Sequence, residues 1–284
     1  MQTSPAVPSW GVADSLVPPA EEHLTTGWEA DLPADDTLVR QAVFVHASWP
    51  LLLAQAAGRP HRRTARWAGA WLSDRGALAN PVVLLQPLDD PAGRLAEIDR
   101  LVPAQVPYLL ISPWPTEDLA RHGLVLVGHP PLMVRLPSAS PSQPLVPQDI
   151  GVREVLDPEQ LALAEQVLVQ GYPMPEMQPL HRGDVFGPGL IGSRTRVWLA
   201  WHEGRPIAVS AAHHSDGVTL VEYVATLPEA RGLGAGTAVT WEATLSQPGS
   251  PALLIASDDG RPVYERMGYL AIERWTAWLR PGHE

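Results

Sequence analysis

Residues 218–245 read VTLVEYVATLPEARGLGAGTAVTWEATL, and this stretch decides the fold. Val218 to Leu227 is rich in β-branched side chains, the composition of a strand. Pro228 ends the strand, because it has no N–H to give to a ladder. Arg231, Gly232, Leu233, Gly234, Ala235 and Gly236 form a turn. From Thr237 the spacing becomes helical, with Ala238, Trp241 and Leu245 along one face.

A glycine turn that leads from a strand into a helix suits a phosphate. The first-turn N–H groups of a helix lack intrahelical partners and lie at the positive end of its dipole. Glycines let the backbone approach a pyrophosphate without a Cβ in the way. The order here is Arg-Gly-x-Gly-x-Gly, not the dinucleotide fingerprint, and no acidic strand end follows at the required spacing. A P-loop needs lysine. All 20 basic residues of this chain are arginine, which removes the P-loop and any lysine Schiff base.

The segment resembles the acetyl-CoA-binding core of the GCN5-related N-acetyltransferases (GNAT). That family's signature is Arg/Gln-x-x-Gly-x-Gly/Ala after a strand ending in Val-x-Pro. Arg231, Gly234 and Gly236 match it, with Thr226-Leu227-Pro228 at the strand end. A second segment follows in order: Ala252 to Ser257 reads as a strand and Arg261 to Met267 as a short helix. Tyr264-Glu265-Arg266-Met267-Gly268-Tyr269 resembles the family's Tyr-x-x-x-Gly-Phe ending. The resemblance covers residues 151–284 and implies an α/β (α+β) fold with a mixed central sheet flanked by helices.

Composition sets the bounds. The chain has 284 residues, enough for one large or two ordinary domains, and a net charge of −11. An acidic chain without a basic run is a poor nucleic-acid surface, and it favours a cationic small-molecule acceptor. There is no cysteine, so disulfides, thiolate metal sites and a cysteine nucleophile are excluded. The first residues lack a basic stretch followed by an apolar one, and no apolar run reaches 18 residues, the length of a membrane span. A cytoplasmic protein without a membrane partner is expected.

Along the chain, 1–35 reads as a Pro- and Ser-rich arm. Asp35-Asp36 offers a cap for a helix from Thr37 to Ala57, with a break expected at Trp49-Pro50. Arg62 to Leu72 reads as an amphipathic strand or helix. Val82 to Leu88 is a strand, Pro91 to Leu101 a helix and Tyr108 to Ser112 a strand. Thr116 to His122 reads as a helix capped by Gly123, followed by strands at Val125–Val127 and Leu132–Leu136. This layout from Tyr108 to Arg135 repeats that of Ala252 to Leu279, while the first half lacks the Arg-x-x-Gly-x-Gly turn. Residues 36–136 therefore read as a degenerate GNAT-like domain, 137–150 as a proline-rich linker, and 151–284 as the acetyltransferase domain, two GNAT-like domains in tandem. The two halves then form an internal pseudo-dimer in a monomer, or the chain forms a homodimer. In the second domain, Val152 to Val155 is a strand and Pro158 opens a helix. Gly171 to Gly192 is a long irregular loop, and Arg196–His202 and Pro206–His213 form a hairpin about Glu203-Gly204. Arg274 to Leu279 is expected to close the second sheet.

The resemblance also assigns roles. The turn Arg231, Gly232, Leu233, Gly234, Ala235, Gly236 and Thr237 would hold the pyrophosphate of acetyl-CoA. The backbone of Val224, Ala225 and Thr226 would line the pantetheine, and Ser257 stands where family members often place Asn. Tyr264 is the candidate general acid: a phenol titrates near pH 10 and has a proton to give a leaving thiolate. Glu222 is the candidate base; strict alternation would put it on one face with Leu220 and Val224. His213 and His214 are rival bases, expected at an exposed turn, and His213 is also a candidate for acceptor binding. Glu176 and Asp184, in the long loop, are candidates for recognising a cationic acceptor. With His181 they match no standard metal spacing, so no metal is expected. The expected activity is acetyl transfer from acetyl-CoA to a primary amine of a small molecule or peptide. The alternative is an acyl-CoA sensor or interaction module without turnover, and a dinucleotide enzyme is disfavoured by the missing acidic partner.

Overall fold

The computed structural model describes residues 37–137, 147–172 and 174–282. The expected arm, the Asp35-Asp36 cap and most of the linker lie outside them. The first helix, α1 (Leu38–Ala57), starts where the Thr37 hydroxyl accepts the Arg40 N–H at 3.1 Å and ends at Gly58, φ +64°. It does not break at Pro50, which lies inside it. Proline removes the bond to the His46 carbonyl, but tertiary packing holds the helix together: α1 packs on strands of both sheets, and Ala42, Val43, Val45, Ala47, Trp49 and Leu53 are buried.

The strands that follow are β1 (His61–Arg63), β2 (Trp67–Ala70) and β3 (Pro81–Leu84), then helix α2 (Pro91–Ile98) and β4 (Tyr108–Ser112). Where a helix over Thr116–His122 was expected there is only a short 3₁₀ turn, Ala120–His122, before Gly123. Then come β5 (Val125–Gly128), β6 (Pro131–Arg135), β7 (Gly151–Glu154) and helix α3 (Pro158–Gly171), capped by the Asp157 carboxylate. The long loop contains 3₁₀ turns, and β8 (Thr195–His202), β9 (Arg205–Ser215) and β10 (Val218–Thr226) form a meander. Helix α4 (Ala235–Leu245), β11 (Ala252–Ile255), helix α5 (Arg261–Arg266), β12 (Leu270–Arg274) and β13 (Thr276–Arg280) complete the chain.

The strands make two mixed sheets, β1-β2-β3-β4-β13-β5 and β12-β6-β11-β10-β9-β8-β7, flanked by helices. Each half places one strand in the sheet of the other. Arg274–Leu279 does not close the second sheet as expected. β12 stays at its edge, whereas β13 crosses into the first sheet and pairs antiparallel with β4 and β5. Reciprocally, β6 inserts between β11 and β12. The pairings then follow one pattern in both sheets: β3 and β4 are parallel, as are β10 and β11, with antiparallel neighbours on either side.

Alternation in β3 and β4 sorts the first half. Val82, Leu84, Tyr108 and Leu110 join the core beneath α2, together with Trp278 of β13. Pro81, Val83, Leu109 and Ile111 face the opposite way, towards the second half. At the exchange point Trp275 is fully buried, and its ring lies 4.7 Å from that of His46 on α1. Trp275→Ala is expected to cost about 3–5 kcal/mol, read as a lower urea midpoint for a single transition of the whole chain. A loss below about 1 kcal/mol, or two separated transitions, would show that the exchange does not join the halves.

Candidate functional site

The site begins with a bulge in β10. Val218 to Glu222 pair in register with Ser215 to Ala211 of β9, and pairing resumes at Ala225 opposite Val209. Tyr223 and Val224 therefore face the single residue Ser210, two residues against one. Tyr223 has φ +52°, an uncommon conformation for a bulky side chain that surroundings must hold in place. Its ring is pinned between Trp49, at 5.5 Å, and Phe186, at 5.8 Å, and its hydroxyl donates to the Leu78 carbonyl at 3.4 Å.

The other edge of β10 opens just before the bulge. β10 pairs with β11 only at Thr219–Ala252 and Leu220–Leu253. Past these, a cavity of about 160 Å³ is lined from β10 by Val221, Glu222, Tyr223 and Val224 and from the β11 side by Leu254, Ile255, Ser257 and Tyr264. Four consecutive β10 residues reach it, so the alternation expected for Glu222, Val224 and Leu220 fails; Leu220 is buried elsewhere in the core. Tyr172 and Met174 line it from the start of the long loop. The remaining wall comes from the first half: His46 and Trp49 of α1, Leu78, and the apolar row Pro81, Val83, Leu109 and Ile111.

Burial sets the protonation of this cavity. Glu222 is the only charged side chain among its described lining residues. Desolvation raises its pKa from 4.5 to about 7, against a lowering by the Tyr223 N–H it accepts. His46 is held down to about 4 by burial, so it is neutral at pH 7 and its 3.8 Å approach to Glu222 is not an ion pair. Burial, with the neighbouring Tyr172 hydroxyl, pushes the Tyr264 phenol well above its usual range, so it keeps its proton. The Ser257 hydroxyl accepts the Gly260 N–H at 3.2 Å, and Gly260 leaves the room that the Tyr264 ring occupies.

The glycine turn stands at the end of β10. Gly232 and Gly234 have φ +85° and +84°. Gly234 is the N-cap of α4 and supplies no side-chain acceptor, so the amides of Ala235, Gly236 and Thr237 are left for an external one. A Cβ on Gly236 would lie 2.6 Å from the Thr226 hydroxyl, which is why the helix start packs against the strand only with glycine there. Arg231 donates to the Gly171 carbonyl at 3.3 Å, and Leu233 is exposed. Ala225 and Thr226 have rejoined the β9 ladder.

The remaining candidates lie elsewhere. His213 is not in an exposed turn, because β9 continues to Ser215 and turns at Asp216-Gly217. It is fully buried, with Ser48 Oγ at 2.8 Å from Nε2 and Thr195 Oγ1 at 3.0 Å from Nδ1, and burial lowers its pKa to about 3. His214 is half-buried next to Thr219 and Ser246. Asp184 accepts Arg75 Nη2 at 2.9 Å and joins the long loop to the first half. Glu176 is exposed in a 3₁₀ turn away from the cavity lining. Among the described residues no group of three or more acidic or His side chains is placed to share a metal ion. His46 escaped the sequence reading because it sits among apolar residues of a helix in the other half, with nothing local to mark it.

The shifts make stability depend on pH with opposite signs. Glu222, raised, favours the fold below about pH 4.5, and that contribution is lost as pH rises through 7. His46 and His213, lowered, favour the fold above about pH 6.5, and theirs is lost on acidification. Glu222→Gln is therefore expected to stabilise the fold at about pH 8 by up to about 3 kcal/mol, read as a higher melting midpoint, and to change it little near pH 4.5. An equal effect at both pH values would show that the carboxyl is not desolvated.

No protein-family model matches the chain, and no curated protein sequence matches it. Solved structures do. It is similar to a GCN5-related N-acetyltransferase from Kribbella flavida, with TM-score 0.57 and 23% identity over 84% of this chain and 96% of that one. A protein from Novosphingobium aromaticivorans assigned to the GNAT acetyltransferases aligns with TM-score 0.53 and 15% identity over 83% and 99% of the two chains. A conserved protein of unknown function from Staphylococcus epidermidis aligns with TM-score 0.52 and 13% identity over 79% and 94%. The chain thus carries the fold of the GCN5-related N-acetyltransferases over most of its length, both sheets included.

Proposed function

We propose that this chain is an acetyl-CoA-dependent N-acetyltransferase acting on a primary amine. The observation that carries the reading is the parting of β10 from β11 after Leu220, just before the Tyr223–Val224 bulge, on the strand that leads to an uncapped, glycine-lined helix start. The residues present fit the cofactor: the α4 amides and Arg231 suit a pyrophosphate, Val224 and Ser257 line the cleft for its arm, and Ala225 and Thr226 carry β10 on towards the turn. Bound there, acetyl-CoA would supply an acyl thioester.

The chain's own groups then have separate tasks. Glu222, poised near neutrality, takes one proton from the acceptor ammonium. The amide at Val224, outside the β9 register, suits the thioester carbonyl oxygen as charge develops on it. The C–N bond forms as the C–S bond breaks, and the sulfur takes the Tyr264 proton. The second proton released by nitrogen restores Tyr264, so the amide, the thiol and protonated Glu222 account for every hydrogen. The first half, which has no glycine turn and no bulge in β3, is read as a GNAT-like domain without a cofactor site that walls the acceptor side.

Two measurements test this. Acetyl-CoA at about 100 times its dissociation constant is expected to add about 2.7 kcal/mol of stability, a shift lost in Gly234→Trp and not produced by NAD. Tyr264→Phe is expected to lower kcat by about 10²-fold while the acetyl-CoA shift remains. Binding without any turnover would favour an acyl-CoA sensor, and no shift with any CoA species would make the turn structural.

A further inference from the structure

The apolar row and the orphaned ring nitrogen of His46, both from the first half, together describe the acceptor, on the reading of the site given above. His46 is 3% exposed, and its Nδ1 lies 2.7 Å from the Ala42 carbonyl oxygen. A carbonyl only accepts, so Nδ1 carries the ring proton and Nε2 presents a lone pair. That Nε2 is buried, has no hydrogen-bond partner among the described residues, and lies 3.8 Å from Glu222 Oε1, both side chains lining the cavity. Buried acceptors are nearly always satisfied, and an exception calls for a reason. With Glu222 ionised, as it is when it can take a proton, the two face each other as acceptors, and a donor placed between them satisfies both. A single nitrogen at an ordinary hydrogen-bond length from each spans the gap.

We propose that His46 Nε2 and the Glu222 carboxylate form a two-acceptor seat for the acceptor nitrogen, and that the acceptor is an apolar primary amine without a carboxylate, phosphate or second cationic group. A primary ammonium that gives one hydrogen to Glu222 still has two, one for His46 and one for the Glu222 carboxyl oxygen, whereas a secondary one has only one left for the two acceptors. A carboxylate or phosphate would find no cationic partner among the described lining residues, and a second ammonium would find no second carboxylate. The body of the acceptor instead meets Trp49 and the row Pro81, Val83, Leu109 and Ile111. After transfer the nitrogen is neutral and bears one hydrogen, so it leaves one half of the seat, which favours release.

The test uses the full chain with acetyl-CoA and 2-phenylethylamine, its N-methyl analogue, phenylalanine and spermidine. Phenylethylamine is expected to be acetylated with a kcat/KM at least about tenfold above the other three. His46→Leu is expected to raise the KM for phenylethylamine by about tenfold or more, with the acetyl-CoA thermal shift unchanged, and His46→Gln, which keeps an acceptor, to recover part of the loss. Because Nε2 makes no bond within the fold, His46→Leu should melt near the parent. If it does not fold, the primary against N-methyl comparison on the parent decides. An unchanged KM in folded His46→Leu, or preference for phenylalanine or spermidine, overturns the seat. An acetyl-CoA shift without turnover of any of these amines overturns it while leaving the cofactor site standing. The absence of any acetyl-CoA shift defeats the transferase reading itself.

Discussion

Everything in the site depends on the one extra residue by which β10 outruns β9 at Tyr223–Val224. A regular strand would keep Glu222 and Tyr223 on opposite faces and leave no gap beside β11. The bulge instead brings Val221 to Val224 onto one cavity, which opens just past the two pairs that join β10 to β11. Such a feature survives only if its surroundings over-determine it. A tyrosine at positive φ costs on the order of 1–3 kcal/mol, offset here by the two flanking aromatic rings and the hydroxyl bond to Leu78. Two of those three supports, Trp49 and Leu78, belong to the first half.

The first half is therefore part of the site's construction. α1 sits between the two sheets, Gly187 and Gly189 of the long loop lie against Ala56 and Ala57 at its end, and Arg75 is bonded to Asp184. The exchange of β6 and β13 reinforces this, because neither sheet is complete without a strand from the other half. These contacts keep His46, on α1, at a set distance from Glu222, on β10. They also half-enclose the carboxyl, whose side chain is 24% exposed, and the desolvation that raises its pKa leaves it able to take a proton near neutral pH.

Burial thus does two jobs that oppose each other energetically. It stabilises the chain through its apolar lining, and it destabilises the ionised Glu222 and the charged forms of His46 and His213. A fold selected for stability alone would place an apolar side chain at 46, where Nε2 is unpaired. A buried polar group left unpaired calls for a reason, and a ligand that completes it supplies one.

The local, contiguous features were legible in the sequence alone: the strand, glycine turn and helix at 218–245, the helix that opens at Pro158, and Tyr264 in its motif. Each of these rests on propensity and backbone freedom within a few residues, which a linear string records. Only the tertiary structure decided that α1 runs through Pro50, that β13 leaves its own half, that β10 bulges at Tyr223 and that His213 is buried. It alone brought His46 to Glu222. Strand partners, bulges and burial depend on residues far apart in the chain, whose mutual packing outweighs the local preference at each position.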